Sequence, residues 1–254
     1  MNMEKDLKEK VSIVTGGGSG IGQATAYLYA DHGAKVVVSD INEQAARNVA
    51  NQINQKGGKA IFVTADVSKP EDCERLVNET IKEFGRLDIA FNNAGIGGES
   101  NPIAEMTIDG WNKIIAVNLS SVFYCMKFQL QKMEAQGSGC IVNNSSILGS
   151  VGFLNSSGYV AAKHGLIGLT KNAALEYSAK GIRINAIGPA FINTPLLTEA
   201  GIVGDIKDSL VKLHPIGRFG EANEVAELVV WLSSDKASFA TGSYYAVDGG
   251  YLAQ

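Results

Sequence analysis

The stretch VSIVTGGGSGIG, residues 11–22, decides the fold of this chain. Its first half is a short β-branched run, which predicts a buried strand, and its second half is a glycine-rich turn that opens a helical pattern. Glycines let the backbone turn sharply and approach a pyrophosphate, whose negative charge is favoured at a helix N-terminus. Because the turn joins a strand to a helix, the stretch predicts a dinucleotide-binding β-α-β unit rather than an ordinary tight turn.

The alternation of strand and helix continues along the rest of the chain. Strands are expected at 35–40, 59–67, 87–95, 139–146, 182–189 and 243–250. One long helix is expected over about 109–136, and 190–220 is a looser stretch. Near-continuous apolar strands separated by helices predict a mostly parallel sheet covered on both faces, in an α/β, doubly wound, three-layer Rossmann-type fold. No linker interrupts the pattern, so residues 1–254 are interpreted as a single dinucleotide-binding and catalytic domain.

Composition narrows the classes of protein and partner. The 254 residues are 45% apolar and 19% charged, which suits a folded globular chain. A net charge of −4 gives no electrostatic reason to expect nucleic acid or an anionic membrane as a partner. The charged start MNMEKDLKEK lacks an apolar signal core, and no run approaches the roughly 18 apolar residues of a membrane span. A cytoplasmic protein is therefore expected.

Cysteines and histidines indicate neither a disulfide framework nor a metal site. Cys73, Cys125 and Cys140 lie far apart in the sequence and form no CxxC pair. The three histidines are equally scattered, so metal-ligand spacing is absent and no metal is predicted.

An acid ends the second predicted strand. Asp40 follows the glycine turn at about the separation expected of a carboxylate that hydrogen-bonds an adenosine ribose. Such a carboxylate accepts from two free hydroxyls and repels a 2′-phosphate, so it favours NAD over NADP. Its neighbours Ser39 and Ile41 supply no arginine that would reverse this preference. The alternative is that Asp40 caps the helix that begins in DINEQ.

The segment GYVAAKHG, residues 158–165, places Tyr159 one helical turn before Lys163. The spacing fits either an ordinary helix-surface pair or an acid and the cation that tunes it. A free phenol has a pKa near 10, and lowering it to about 7 takes roughly 4 kcal/mol. A Lys ammonium about 5 Å away supplies roughly 3 kcal/mol of this at an effective dielectric of about 20, before desolvation is counted. We therefore expect Lys163 to lower the pKa of Tyr159.

Three motifs together resemble the classical short-chain dehydrogenase/reductase family. They are Thr-Gly-x-x-x-Gly-x-Gly at 15–22, NNAG at 92–95 and the Tyr159/Lys163 pair, and the resemblance extends from Val11 to VDGG at 247–250. It implies a sheet of about seven strands, a nicotinamide cofactor, and a homotetramer or homodimer. It also implies hydride transfer between the nicotinamide and a secondary alcohol or ketone, with Tyr159 as general acid/base.

The resemblance assigns roles to individual residues. Catalytic roles fall on Asn118, which would support a proton-relay water, Ser146, Tyr159 and Lys163. Ser145 is the rival candidate for the catalytic serine. Cofactor contacts are implied at Gly16, Ser19, Gly20, Ile21, Gly22, Asp40, Asp66, Val67, Asn93, Ala94, Gly95, Tyr159, Lys163, Pro189, Ile192 and Thr194. One departure is Ala190, where the family usually has glycine, and alanine would be strained if that position requires a positive φ.

Competing functions remain open at this point. The chain could be a non-catalytic NAD-sensing module, although the Ser/Tyr/Lys set argues against that. An epimerase or dehydratase would need a larger C-terminal domain than 254 residues leave room for. Within the oxidoreductases, the apolar segments 147–157 and 190–201 contain no arginine. They suit a neutral or cyclic alcohol, a sugar-like polyol or a 3-oxoacyl thioester. Residues 190–215 are predicted to be a substrate lid.

Overall fold

The computed structural model describes residues 6–254. Its main sheet contains β1 (Val11–Thr15), β2 (Lys35–Asp40), β3 (Lys59–Thr64), β4 (Ile89–Asn92), β5 (Gly139–Asn144), β6 (Ile182–Pro189) and, after two shorter strands, β9 (Tyr244–Val247). The strand order is β3-β2-β1-β4-β5-β6-β9, and all neighbours pair in parallel. The shorter strands, β7 (Ile192–Asn193) and β8 (Gly220–Glu221), pair with each other. The predicted α/β fold with a parallel sheet of seven strands is confirmed.

Helices cover both faces of this sheet. They are α1 (Gly20–Asp31), α2 (Glu43–Gln55), α3 (Pro70–Phe84), α4 (Ile108–Ile115), α5 (Ser121–Gln136), α6 (Ser157–Tyr177), α7 (Pro195–Glu199), α8 (Gly204–Val211) and α9 (Ala222–Ser233). Helices α1, α2 and α9 pack on one face, and α3, α5 and α6 pack on the other. Among the described residues, no helix is long and apolar enough to cross a membrane.

Successive residues of a central strand feed two separate cores. In β2, Val36 and Val38 face the α1, α2 and α9 layer, whereas Val37 faces the α3, α5 and α6 layer. All three side chains are fully buried. Because both faces are covered, apolar residues are favoured at successive positions of a strand, which is why these segments contain β-branched runs.

The sheet reverses its winding between β1 and β4. The chain moves outward from β1 to β2 and β3 on one side, then returns to β4 on the other side. The carboxyl ends of β1 and β4 therefore border a crevice, which is where parallel α/β sheets bind ligands. Thr15 supports this edge, since its Oγ1 accepts hydrogen bonds from the backbone amides of Asn93 (3.0 Å) and Ala94 (3.2 Å). Because those amides donate to a side chain, they do not pair with a neighbouring strand. Strand β4 therefore ends at Asn92 and not at residue 95 as predicted.

Two segments between the predicted strands also differ from the structure. The helix expected over 109–136 is interrupted by a π-helical turn, Ala116–Ser120, which inserts one extra residue between α4 and α5. The looser stretch 190–220 contains β7, α7 and α8. Helix α7 has five residues and α8 has eight, which is too short for a hydrophobic period to stand out in the sequence.

Candidate active site

The glycine turn forms the floor of the crevice. Gly16 (φ +61°) and Gly20 (φ +52°) adopt left-handed backbone conformations that favour glycine. A Cβ on Gly16 would lie 2.9 Å from the Cα of Ala94, and a Cβ on Gly22 would lie 2.1 Å from the carbonyl oxygen of Gly16. Gly22 therefore permits the close packing of α1 against the turn and does not line the crevice, whereas Gly16 and Gly20 do.

Asn93 connects the glycine turn to the other end of the site. Its Nδ2 donates to the carbonyl oxygens of Thr15 (3.0 Å) and Gly16 (3.1 Å). Its Oδ1 accepts a hydrogen bond from the Asn144 Nδ2 at 2.9 Å. The backbone carbonyl of Asn144 accepts in turn from the Lys163 Nζ at 2.7 Å. A continuous set of hydrogen bonds therefore runs from the turn to the lysine.

Asp40 lies at the end of β2 and faces the glycine turn. Its Oδ2 accepts a hydrogen bond from the Gly18 backbone amide (3.0 Å), and its Oδ1 accepts from the Asn42 amide (2.9 Å). Helix α2 is capped by Asn42, whose side chain accepts from the Ala45 amide. The alternative that Asp40 is the helix cap is therefore wrong. Its carboxylate borders the crevice beside Ile41.

The crevice is an elongated cavity of about 580 Å³. The predicted cofactor residues that line it are Gly16, Ser19, Gly20, Ile21, Asp40, Asp66, Val67, Asn93, Ala94, Gly95, Tyr159, Lys163 and Thr194. Pro189 and Ile192 instead line a second cavity of about 380 Å³. Ile21, Asn144, Tyr159, Thr194 and Leu196 border both cavities, so the two spaces meet at these residues.

Tyr159 and Lys163 lie at this junction together with Ser146. The Lys163 Nζ is 5.4 Å from the centre of the Tyr159 ring. Ser146 is buried, lines the second cavity, and accepts a hydrogen bond from the Leu148 amide at 3.1 Å. The hydroxyl of Ser145 donates to the Lys163 carbonyl oxygen at 2.9 Å, so Ser145 is committed to holding the backbone of α6. Of the two serines, Ser146 is the one beside Tyr159.

The protein environment disfavours charge on both members of the pair. Burial raises the pKa of Tyr159, and a hydrogen bond with Ser146 opposes that rise. Burial lowers the pKa of Lys163 to about 8. The predicted lowering of the Tyr159 pKa by Lys163 is therefore wrong for the protein alone, because burial of the phenol is the largest influence on its pKa. A pKa of about 8 still leaves Lys163 mostly protonated at neutral pH, so it can act as a cation beside the phenol.

Asn118 is fully buried in the π-helical turn, behind the site. Its Oδ1 accepts from the Ile96 amide and its Nδ2 donates to the Ile96 carbonyl, both at 2.8 Å. Its side chain is therefore fully used in holding the loop after β4, and it borders neither cavity. The role of Asn118 in a proton relay stays a prediction, and its side chain acts here as a positioning group.

The second cavity has apolar walls. Ile147, Leu148 and Phe153 line one side of it, and Phe191 and Leu197 line another. The rings of Phe153 and Phe191 are 5.9 Å apart, and Phe191 also stacks on Phe219 at 5.5 Å. Ala190 borders this cavity. Its φ is not positive, because Glu9 and Asn155 are the non-glycine residues with positive φ in the described part of the chain, so alanine is not strained there. The departure from the family glycine is therefore tolerated.

Comparison with known proteins identifies the family. Residues 16–252 match a family model described as enoyl-(acyl carrier protein) reductase. Cyclohexanol dehydrogenase from Acinetobacter sp. (strain SE19) is 51% identical over 99% of this chain and 98% of its own length. The crystal structure of levodione reductase matches with a TM-score of 0.95 at 38% identity, covering 97% of this chain and 99% of the other.

The chain belongs to the short-chain dehydrogenase/reductase family.

A further structural relative bears on the cofactor. A structure described as an NAD(P)-dependent gluconate 5-dehydrogenase from Beutenbergia cavernae, with NADP bound at low occupancy, has a TM-score of 0.93 at 33% identity and covers 98% of this chain and 99% of its own. The family assignment confirms the prediction of an oxidoreductase for secondary alcohols and ketones, and it supports a nicotinamide cofactor of either type. Within residues 6–254, no group of three His, Cys, Asp or Glu side chains could hold a metal ion.

The residues of this short-chain dehydrogenase/reductase fit a dinucleotide. A Cβ on Gly18 would lie 2.9 Å from the Asp40 Oδ2, so glycine keeps the backbone free to approach a ligand beside that carboxylate. The cavity continues from Asp40 past the positive-φ glycines to Lys163. These groups match the parts of a dinucleotide. The Asp40 carboxylate can accept from ribose hydroxyls, the glycine turn at a helix N-terminus suits the pyrophosphate, and Lys163 places a cation near the second ribose.

Several residues that build the site were not among the predicted ones. Asn144 holds Lys163 through its carbonyl, and the Tyr244 hydroxyl donates to the Ser146 carbonyl at 2.9 Å. Glu99 and Phe191 line the second cavity. Asn144 could have been found, because it ends a strand at the carboxyl edge of the sheet. Tyr244 carries no local signal, because it approaches the site from a distant segment, whereas Phe191 lies in the predicted pocket segment 190–201.

Proposed function

We propose that this protein is an NAD(H)-dependent dehydrogenase of a cyclic secondary alcohol, which it interconverts with the ketone. The observation that carries this proposal is the junction of the two cavities, where Ser146, Tyr159 and Lys163 lie between a dinucleotide-shaped space and an apolar pocket. The apolar walls and the volume of about 380 Å³ suit a small carbocyclic ring. The similarity to cyclohexanol dehydrogenase supports the same substrate class.

The proposed roles follow from the position of each side chain. A nicotinamide cofactor would supply the carbon that accepts or donates the hydride. Tyr159 would take the proton of the substrate hydroxyl during oxidation and return it during reduction. Ser146 would hold the substrate oxygen beside the Tyr159 phenol. Lys163, held by the Asn144 carbonyl, would place a cation near the phenol and bind the cofactor ribose.

We further propose that Asp40 makes NAD the preferred cofactor. Its carboxylate is anchored by two backbone amides and borders the crevice together with Ser39 and Ile41. A 2′-phosphate placed there would meet a fixed negative charge, whereas a ribose diol would meet a hydrogen-bond acceptor. The basic residues that line the described cavity are Lys113 on α4 and Lys163 on α6, and neither lies on the end of β2 that carries Asp40.

The proposed chemistry is tested by the absorbance of NADH during oxidation of cyclohexanol by NAD. Tyr159→Phe removes only the hydroxyl, so kcat is expected to fall by at least about 10³-fold while the Kd for NADH stays within about twofold. Activity within tenfold of the wild type would contradict the assignment of Tyr159. Acetoacetyl-coenzyme A in a parallel assay tests the thioester reductase that the family description also allows. NADH binding without turnover of any alcohol or ketone would favour the NAD-sensing module.

We also propose that the chain assembles as a homotetramer or homodimer in the cytoplasm, with 190–215 acting as a substrate lid. Exposed apolar side chains on neighbouring helices support self-association, since Phe123 on α5 is 51% exposed and Leu175 on α6 is 86% exposed. Light scattering of the purified protein and of Phe123→Glu measures the assembly. The lid is supported by Leu197, Ile202 and Leu210, which line the apolar pocket from this segment.

A further inference from the structure

The apolar pocket contains one charged side chain. Among the residues that the structure describes around this cavity, Glu99 carries the only formal charge, and the other polar groups are hydroxyls and amides. Glu99 lies in the loop after β4, which also lines the pocket with Gly97, Gly98 and Ser100. A carboxylate in the wall of an otherwise uncharged pocket repels an anionic ligand and attracts a cationic one, even where solvent reaches it.

The Glu99 carboxylate is held in a fixed place. The Thr107 hydroxyl donates to Glu99 Oε1 at 2.7 Å, and the Thr107 amide donates to Oε2 at 3.3 Å. The same hydroxyl accepts from the Gly110 amide at 2.9 Å and so caps α4. A Cβ on Gly110 would lie within 2.6 Å of both carboxylate oxygens, so glycine there leaves room for the charge. The hydrogen bonds from Thr107 lower the pKa of Glu99, which therefore stays ionised at neutral pH.

We infer that Glu99 is a specificity-determining residue, which makes the pocket accept uncharged cyclic alcohols and reject those that carry a carboxylate. This inference rests on the proposed function and narrows its substrate class. An anionic substituent on the ring would bring a second negative charge into the pocket beside Glu99, and no basic side chain lines the described pocket to compensate. A neutral ring avoids this repulsion, and a ring with a second hydroxyl can donate a hydrogen bond to the carboxylate. Discrimination by an unfavourable charge contact is a common source of specificity.

The other interpretation of Glu99 is purely structural. In that case its carboxylate serves only to fix Thr107 and the start of α4, and the charge has no effect on substrates. The two interpretations differ in what Glu99→Gln does. Glutamine keeps one oxygen that accepts from the Thr107 hydroxyl and loses only the longer bond from the Thr107 amide, so the main anchor of the loop is kept while the charge is removed. A change in selectivity between charged and neutral ligands then reports on the charge alone.

The experiment compares two substrates that differ only in charge, 4-hydroxycyclohexanecarboxylate and 4-hydroxycyclohexanecarboxamide, with cyclohexanol as a common reference. The wild type is expected to prefer the carboxamide in kcat/KM by at least about tenfold, mostly through KM. Glu99→Gln is expected to reduce this ratio to within about threefold, and an effect of the substitution that is equal for all substrates cancels in the ratio. In the wild type the ratio should also fall as salt is raised, because the contact is partly open to solvent.

Glu105→Gln is the matched control, because Glu105 lies in the same loop region but is exposed and borders neither cavity. It is expected to leave the ratio unchanged. An unchanged ratio in Glu99→Gln would overturn the inference and leave Glu99 as a structural residue. Calorimetric binding of cyclohexanecarboxylate and cyclohexanecarboxamide to the NADH-loaded protein gives the same comparison without turnover. Failure to oxidise any of the three alcohols would therefore refute the proposed function, while the binding ratio still decides the role of Glu99.

Discussion

Replacing Asp40 tests the cofactor preference at the one side chain proposed to set it. The variant Asp40→Asn removes the negative charge but keeps a carbonyl oxygen that can accept from one of the Gly18 and Asn42 amides. Asp40→Ala removes the charge and both hydrogen bonds. The two variants therefore separate the effect of charge on NADPH from the effect of the loop anchor on both cofactors.

The size of the effect follows from Coulomb's law. A 2′-phosphate about 5 Å from the carboxylate meets a repulsion of roughly 3 kcal/mol per unit charge at an effective dielectric of about 20. Ordinary buffer, with a Debye length of about 8 Å, reduces this by about half. The wild type is therefore expected to favour NADH over NADPH by at least about tenfold in kcat/KM, which corresponds to roughly 1.4 kcal/mol.

The assay is the reduction of cyclohexanone with each cofactor, followed at the absorbance of the reduced nicotinamide. Asp40→Asn is expected to lose most of the NADH preference, mainly because NADPH binds better. Asp40→Ala should lose the preference and also bind NADH more weakly, since the glycine turn is no longer anchored at Gly18. Glu43→Gln is the matched control, because Glu43 is a nearby exposed acid that does not border the cavity. A wild-type preference for NADPH, or an unchanged ratio in Asp40→Asn, would refute the reasoning.

Three further predictions concern stability and motion. Gly22→Ala should lower the free energy of unfolding in urea by about 1–3 kcal/mol, because its methyl group would lie 2.1 Å from the Gly16 carbonyl oxygen. Gly168→Ala is the control, because Gly168 is in an open position on α6, and it should raise the free energy of unfolding by up to about 1 kcal/mol. Equal effects of the two substitutions would contradict the packing argument. Lys163 has its ordinary pKa of 10.5 in the unfolded chain and a pKa of about 8 in the folded chain, so the unfolded chain binds more protons between these values. The free energy of unfolding of the wild type should therefore rise by about 3 kcal/mol, relative to that of Lys163→Met, as the pH is raised from 8 to 10.5. If the free energies of unfolding of those two proteins changed in parallel with pH, burial would not shift the pKa of the lysine. Hydrogen exchange over 190–215 should be fast in the free protein and slow with NADH and a substrate analogue, whereas strong protection in both states would identify a fixed wall.

Much of the fold could be predicted because its strands are buried on both faces. The β-branched runs at 35–40 and 182–189 correspond to β2 and β6 without change of boundary. The strand predicted to reach residue 67 ends at Thr64, because the chain leaves the sheet there to line the cavity with Asp66 and Val67. Such endings depend on ligand-binding geometry, which a hydrophobic pattern does not encode.

The π-helical turn shows a different limit. Residues 109–136 are hydrophobic at intervals that suit one helix, and one extra residue at 116–120 changes the phase without breaking the pattern. The pair of cysteines shows the same limit in three dimensions. Cys73 and Cys125 are 52 residues apart, yet their Sγ atoms lie 3.5 Å from each other as free thiols between α3 and α5. Contacts of this kind depend on how helices pack, and sequence spacing carries no information about them.

The reacting residues were easier to find than their electrostatics. Tyr159 and Lys163 are on one helix, so their proximity follows from helical geometry. The direction of the Tyr159 pKa shift depends on burial by distant segments, and the Lys163 charge alone predicts a shift of the opposite sign. The apolar pocket was predicted from two segments, whereas Glu99 comes from a third that has no recognisable pattern.

The hydrogen bonds of Asn93 set a limit on how this protein can be re-engineered. One amide holds the glycine turn and, through Asn144, the carbonyl that orders Lys163. A substitution at that amide would therefore disturb the glycine turn and the position of Lys163 together, so the proposed cofactor and proton-transfer roles could not be altered separately there. Asp40 and Glu99 lie outside this set of hydrogen bonds. A library that varies these two carboxylates can therefore explore coenzyme and substrate preference while the reacting end of the cavity keeps its native arrangement.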